Sequence, residues 1–144
     1  MIRVYSRREI EGGVLAHMLK SNPSMSIAVI SITDPDVPVA NIVGRDDNMK
    51  VRRVQFHDAT PEIEERFGQF IVMTPEQAQN IVDFWRENMG VDVLAVHCEA
   101  GISRSAAVAA ACAVMAGQSD EEFFEEPYFP NRHVYNLMIE TANN

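Results

Sequence analysis

The chain has 144 residues, 47% apolar and 23% charged, a composition that suits one folded domain with its own core and excludes disorder. With 12 Lys and Arg against 21 Asp and Glu, the net charge of −9 argues against binding a nucleic-acid backbone or a membrane surface. Two cysteines are too few for a disulfide framework, no apolar stretch is long enough to cross a bilayer, and Arg3, Arg7 and Arg8 stand where a signal peptide would need an apolar run, so a cytoplasmic protein is expected.

Taken in chain order, Ser6 and Glu9 form a capping box ahead of Ile10, Val14, Leu15, Met18 and Leu19, which predicts an early helix weakened by Gly12 and Gly13. Residues 27–30 form a short β-branched run that reads as a buried strand, and residues 51–57 alternate in strand fashion, with Val54 and Phe56 on one side. Thr74, Pro75 and Gln77 start the clearest helix, which carries Ala78, Ile81, Val82, Trp85 and Met89 on its apolar face and ends at Gly90. Residues 91–96 read as a second buried strand. After a tight turn, residues 105–115 are nearly all small or apolar and predict a buried helix stopped by Gly117. Ser119 and Glu122 cap a short helix, and a last helix places Val134, Leu137, Met138 and Thr141 on one face. No repeat or linker divides the chain, so residues 1–144 are expected to form one domain. Its fold is expected to be α/β: a largely parallel central sheet flanked by helices, with any ligand at the C-terminal ends of the strands.

The turn between the buried strand and the buried helix carries the chemistry. It reads His97, Cys98, Glu99, Ala100, Gly101, Ile102, Ser103, Arg104, Ser105. A loop entering a helix in this way can turn its N–H groups inward, where the positive end of the helix dipole adds to them, and this makes a concave anion site. Gly101 gives the backbone freedom to curl. Inward amides, the dipole and a guanidinium together favour a thiolate at Cys98, and Arg104 offers a planar fork for two phosphate oxygens. The hydroxyl of Ser105 can donate to the sulfur, and His97 can fix the loop through backbone groups. Cys112, on its Ala-rich helix, reads as a core residue. No second ligand pair accompanies His97 and Cys98, so a zinc site is not expected.

The run from His97 to Ser105 resembles the signature of the protein tyrosine phosphatase superfamily, in which Cys and Arg bracket five residues and Ser or Thr comes next. It is most similar to the small dual-specificity-like branch. The resemblance implies a phosphatase domain that works through a phosphocysteine intermediate. Residues 99–104 would bind phosphate, and Cys98, Arg104, Ser105 and a general acid would be catalytic, with His97 supporting. No cofactor or metal is implied. For the acid, the resembling families carry an Asp upstream of the nucleophile, and Asp58 is the best match, with Glu62 and Glu64 on the following loop, Asp46, Asp47 and Asp83 as rivals. The favoured substrate is phosphotyrosine in a protein or peptide, with phosphoserine and phosphothreonine admitted. Lipid-directed members place Lys inside the loop, whereas Glu99, Ala100 and Ile102 stand here. A phospho-binding module without turnover is the alternative, and a thiol transferase of the rhodanese or arsenate-reductase kind is disfavoured by the Arg-Ser ending.

Overall fold

A computed structural model of the chain describes residues 1–44 and 49–144. In chain order the elements are β1 (Ile2–Ser6), α1 (Arg7–Glu11), α2 (Val14–Ser21), β2 (Ile27–Thr33), β3 (Met49–Gln55), α3 (Pro61–Phe67), α4 (Pro75–Glu87), β4 (Val93–Cys98) and α5 (Arg104–Met115). A 3-10 turn (Glu121–Phe124) and α6 (Arg132–Ala142) complete the fold. The four strands lie in the order β1-β4-β2-β3, and every pairing is parallel. That is the α/β sheet expected.

Side chains alternate across a strand, so one run can feed two cores. Ala28, Ile30, Ile32, Leu94, Val96 and Cys98 face one side, against α4, α5 and α6, while Ile27, Val29, Val93 and Ala95 face α1 and α2. Helix α5 is the centre of the larger core. Ala106, Ala107, Ala109, Ala110 and Ala111 are fully buried, and their small side chains admit a helix between sheet and outer helices. Cys112 is buried on the same helix, and burial pushes its thiol pKa up, as a core residue requires.

Five expectations need correction. Strand β1 stands where the sequence pattern predicts no strand, and the early helix is two helices, because Gly13 takes φ 93° and breaks the run after α1. Glu62 and Glu64 lie on α3, not on a loop. Met89 is 63% exposed, because α4 ends at Glu87 before the apolar stripe reaches it. The turn near residue 120 is 3-10, capped by Asp120, with the Ser119 hydroxyl accepting from the Glu121 N–H.

Parallel pairing puts the C-terminal ends of all four strands at one edge. Four segments therefore converge there: Arg7 after β1, Asp34 after β2, the stretch from Phe56 to Asp58 after β3 and the loop after Cys98. Among the described residues no helix is long and apolar enough to cross a membrane, and no group of three His, Cys, Asp or Glu could hold a metal ion.

Candidate active site

Cys98 ends β4 on the face that meets α5, and Ser105 lies in the first turn of that helix. Their side chains meet at 3.0 Å between Sγ and Oγ, and both are buried. The chain curls between them through Gly101 at φ 71°. Among the described residues, no group of the chain accepts a hydrogen bond from the N–H groups of residues 99–103. Amides without acceptors on a tight curl at the start of a 12-residue helix are the kind of arrangement that can hold an anion.

Arg104 is 5% exposed, and its guanidinium is steered from the neighbouring strand ends. Its Nη1 donates to Asp34 Oδ1 at 2.7 Å and to the Phe56 carbonyl at 2.6 Å, while its Nε is buried with no partner among the described residues. A buried donor left unpaired is expensive unless a ligand takes it. The Nε is therefore a donor still available to a ligand.

His97 precedes the nucleophile candidate and points to the opposite face of the sheet, as period-two alternation demands. It is fully buried, with Nε2 2.6 Å from Ser31 Oγ and Nδ1 3.3 Å from the Cys98 carbonyl oxygen. Burial lowers its pKa, so it is a neutral ring tying β4 to β2 and to the start of the loop. Glu99 leans outward. Its carboxylate meets Arg7 at 3.2 Å, Arg7 also pairs with Glu11 at 3.3 Å, and the Arg7 N–H donates to the Glu99 carbonyl.

Asp58 stands at the rim. One oxygen, Oδ1, accepts from Ser103 Oγ at 2.8 Å and from Asn131 Nδ2 at 2.9 Å, which orients the carboxyl group and leaves Oδ2 without a partner among the described residues. Asn131 also caps α6, since its Oδ1 accepts from the Val134 N–H, and its own N–H reaches the Ser103 carbonyl. The rivals are placed elsewhere or engaged. Hydrogen bonds from its own N–H and from Thr60 hold the Glu62 carboxyl below its ordinary range, which suits a fixed anion rather than a proton donor. Glu64 accepts from the Val72 N–H, and Asp83 accepts from Gln79 on α4. Asp46 and Asp47 lie outside the described residues.

No family model matches the sequence, and no curated protein matches it. Solved structures do. The human tyrosine phosphatase-like serine/threonine/tyrosine-interacting protein matches over 99% of this chain and 91% of its own, at a TM-score of 0.59 and 20% identity. Human DUSP28 matches over the same shares, at a TM-score of 0.53 and 18% identity. This chain has the dual-specificity phosphatase fold. PTPMT1, solved in complex with PI(5)P, matches over 99% of this chain and 90% of its own, at a TM-score of 0.57 and 16% identity.

Within this dual-specificity phosphatase fold, Asp34, Asn131, Ser31 and Arg7 are site-supporting residues that sequence reasoning misses. One signal points to Asp34: it directly follows a buried parallel strand, at the sheet edge where ligands gather. Asn131, after Pro130 and before an apolar helix, is legible as an N-cap, but its tie to Asp58 spans 73 residues.

Proposed function

We propose that this chain, over residues 1–144, is a phosphatase that hydrolyses phosphate monoesters, phosphotyrosine in proteins or peptides first, through a phosphocysteine intermediate. One observation carries the reading: the Cys98 sulfur lies 3.0 Å from the Ser105 hydroxyl, at the base of a loop whose free amides and buried Arg104 Nε lack an acceptor. Sulfur forms a bond to phosphorus as the bond to the ester oxygen breaks, and Asp58 gives that oxygen its proton. Water then attacks phosphorus, Asp58 takes the water's proton, and the sulfur leaves with the Ser105 hydroxyl donating to it. Arg104 and the amides of residues 99–104 balance the charge on the phosphoryl oxygens in both steps, the role a metal has in other phosphoryl transfers. Cys98 must stay reduced to act as the nucleophile, which fits a cytoplasmic setting.

No Lys or Arg lies among residues 99–103 to hold a second anionic group, and the Glu99 and Asp34 carboxylates beside the loop already take up Arg7 and Arg104, which supports a phosphorylated side chain over a phosphoinositide. The similarity to a protein described as tyrosine phosphatase-like keeps a second reading in play, a phospho-binding module that holds its ligand without turnover. The presence of both Cys98 and Arg104 favours the enzyme. Incubation with p-nitrophenyl phosphate should release phosphate, and rapid quenching should trap a phosphoryl group on Cys98. Cys98→Ser should abolish release while still binding inorganic phosphate. Turnover persisting in Cys98→Ser would refute the covalent route, and no turnover in the wild-type chain would leave the binding module.

A further inference from the structure

Residues 60–72 leave the body of the fold just after Asp58, and burial does not hold them in place: α3 buries no residue, and Ile71 is half-exposed. The stretch is returned to its start by His57. The His57 N–H donates to the Ile71 carbonyl at 2.7 Å, and His57 Nδ1 accepts from the Ile71 N–H at 2.9 Å, so both polar backbone groups of Ile71 close on one residue 14 positions earlier. The imidazole also stands edge-on to Phe70, with ring centroids 5.6 Å apart. In the other direction the His57 carbonyl accepts from the Ala59 N–H at 2.9 Å, a bond between residues i and i+2 that makes Asp58 the middle of a three-residue turn. Both neighbours of Asp58 are thus tied down, His57 to Ile71 and Ala59, through its carbonyl, to Asn131. A backbone N–H can only donate, so Nδ1 is the accepting nitrogen and the ring carries its proton at Nε2. Nε2 lies 3.4 Å from Asp36 Oδ1, but that carboxylate is 76% exposed and the pair contributes little. The Nδ1 acceptor is the part of the ring that closes the loop.

We infer that His57 is a positioning residue for the reaction: its ring closes the loop that follows Asp58 and so fixes the turn from which Asp58 gives its proton. The inference rests on the phosphatase reading above and adds the residue that sets the acid in place. Proton transfer needs the donor within hydrogen-bond reach of the leaving oxygen, so a loosened turn loses acid catalysis while the loop after Cys98 keeps its hold on phosphate. A phenylalanine at position 57 keeps a ring against Phe70 but offers no acceptor, and the Ile71 N–H loses its partner. An asparagine places its carbonyl oxygen where Nδ1 stands and keeps that partner.

The test compares the full wild-type chain with His57→Phe and His57→Asn in two measurements. Hydrogen exchange of the Ile71 and Ala59 amides, followed by NMR, should be roughly two- to tenfold faster in His57→Phe and near the wild-type rate in His57→Asn. In turnover, His57→Phe should lower kcat/KM about tenfold or more for phenyl phosphate, whose leaving group needs the proton, and less than about threefold for p-nitrophenyl phosphate. Inhibition by inorganic phosphate should stay unchanged, which shows that the variant is folded with its phosphate loop intact, and His57→Asn should recover most of the loss. If His57→Phe does not fold, His57→Gln, whose side-chain oxygen falls one bond farther out, takes its place. Unchanged exchange in the variant without the acceptor overturns the closure. Equal losses for the two esters, or an asparagine variant as poor as phenylalanine, overturn the positioning role. The two readings fail separately: a wild-type chain that releases no phosphate removes the phosphatase, and the exchange rates still decide whether His57 closes the loop.

Discussion

Replacing Gly101 by alanine should disable the phosphate loop, whereas the same change at Gly117 should not, although the two glycines hold nearly the same positive φ, 71° and 73°. That backbone conformation alone disfavours an L-residue by about 1 to 2 kcal/mol, and it applies to both. The surroundings differ. A Cβ at Gly101 would stand 2.6 Å from the Ser6 nitrogen, 2.7 Å from the Tyr5 carbonyl carbon and 2.8 Å from its oxygen, whereas nothing lies within 4 Å at Gly117. All three atoms at Gly101 are backbone, in a strand whose Tyr5 and Ser6 are in register with His97 and Cys98, so they cannot swing aside as a flexible side chain would. Overpacking of this kind adds about 1 to 3 kcal/mol. The expected loss is therefore roughly 2 to 5 kcal/mol for Gly101→Ala against about 1 to 2 for Gly117→Ala. At about 3 °C per kcal/mol for a chain of this size, Tm should fall by roughly 6 to 15 °C in the first case and 3 to 6 °C in the second. If the loop backs away from β1 to relieve the clash, part of the loss moves from Tm into phosphate affinity, because the amides no longer converge. Thermal unfolding followed by circular dichroism, with inorganic phosphate affinity measured on both variants, reads both terms. Equal Tm losses with unchanged phosphate affinity would refute the idea that the β1 backbone shapes the loop.

Asp58→Asn keeps an oxygen able to accept from Ser103 and Asn131 but cannot donate a carboxyl proton, so kcat/KM should fall about 100-fold or more for esters with poor leaving groups and far less for p-nitrophenyl phosphate. Equal losses across a series of leaving groups would assign the acid to another residue. His97 is buried with its pKa lowered from the ordinary 6.5, so below that value the unfolded chain binds the proton that the folded chain refuses. Stability should accordingly rise with pH through the interval between the folded value and about 6.5, and fall on acidification through it. The drop in Tm from pH 7.5 to 5.5 should be shallower in His97→Gln than in wild type, and equal slopes would show that another group governs the acid side.

The loop itself is legible in the sequence because its signals are local. A β-branched run, a Cys, a Gly, an Arg and then an alanine-rich helix occupy a single window, and the sheet direction follows from the helices between strands. The features the sequence hides depend on register or on the lack of burial. Strand β1 is five residues long at the sheet edge, with β4 its one partner among the described residues, so Ile2 and Val4 give too short an alternation to read. Helix α3 buries no residue at all, and periodicity is readable only when one face is buried, so Pro61, Glu62 and Glu64 pass for a loop. Asp34 reaches Arg104 across 70 residues, a contact that exists only because β4 lies beside β2 in the strand order.

The same topology bears on what Asp58 is for. A residue that only braced the loop would need one oxygen, and Oδ1 already takes both donors, one from the phosphate loop and one from the cap of α6. A brace of that kind would be served as well by asparagine, so the carboxyl is informative only through its second oxygen, which no group among the described residues engages. In the proposed mechanism the loop supplies donors and a nucleophile but no proton for the leaving oxygen: the Cys98, Glu99, Ser103 and Ser105 side chains are taken up by one another, by Arg7 or by Asp58, and Arg104 is a guanidinium tied to Asp34 with its Nε left as a donor. In the proposed mechanism Asp58 would meet two requirements in one group, since the contacts that hold Oδ1 also orient Oδ2. On that mechanism Asn131 would serve the chemistry at one remove, by orienting a carboxyl that sequence spacing alone could only nominate.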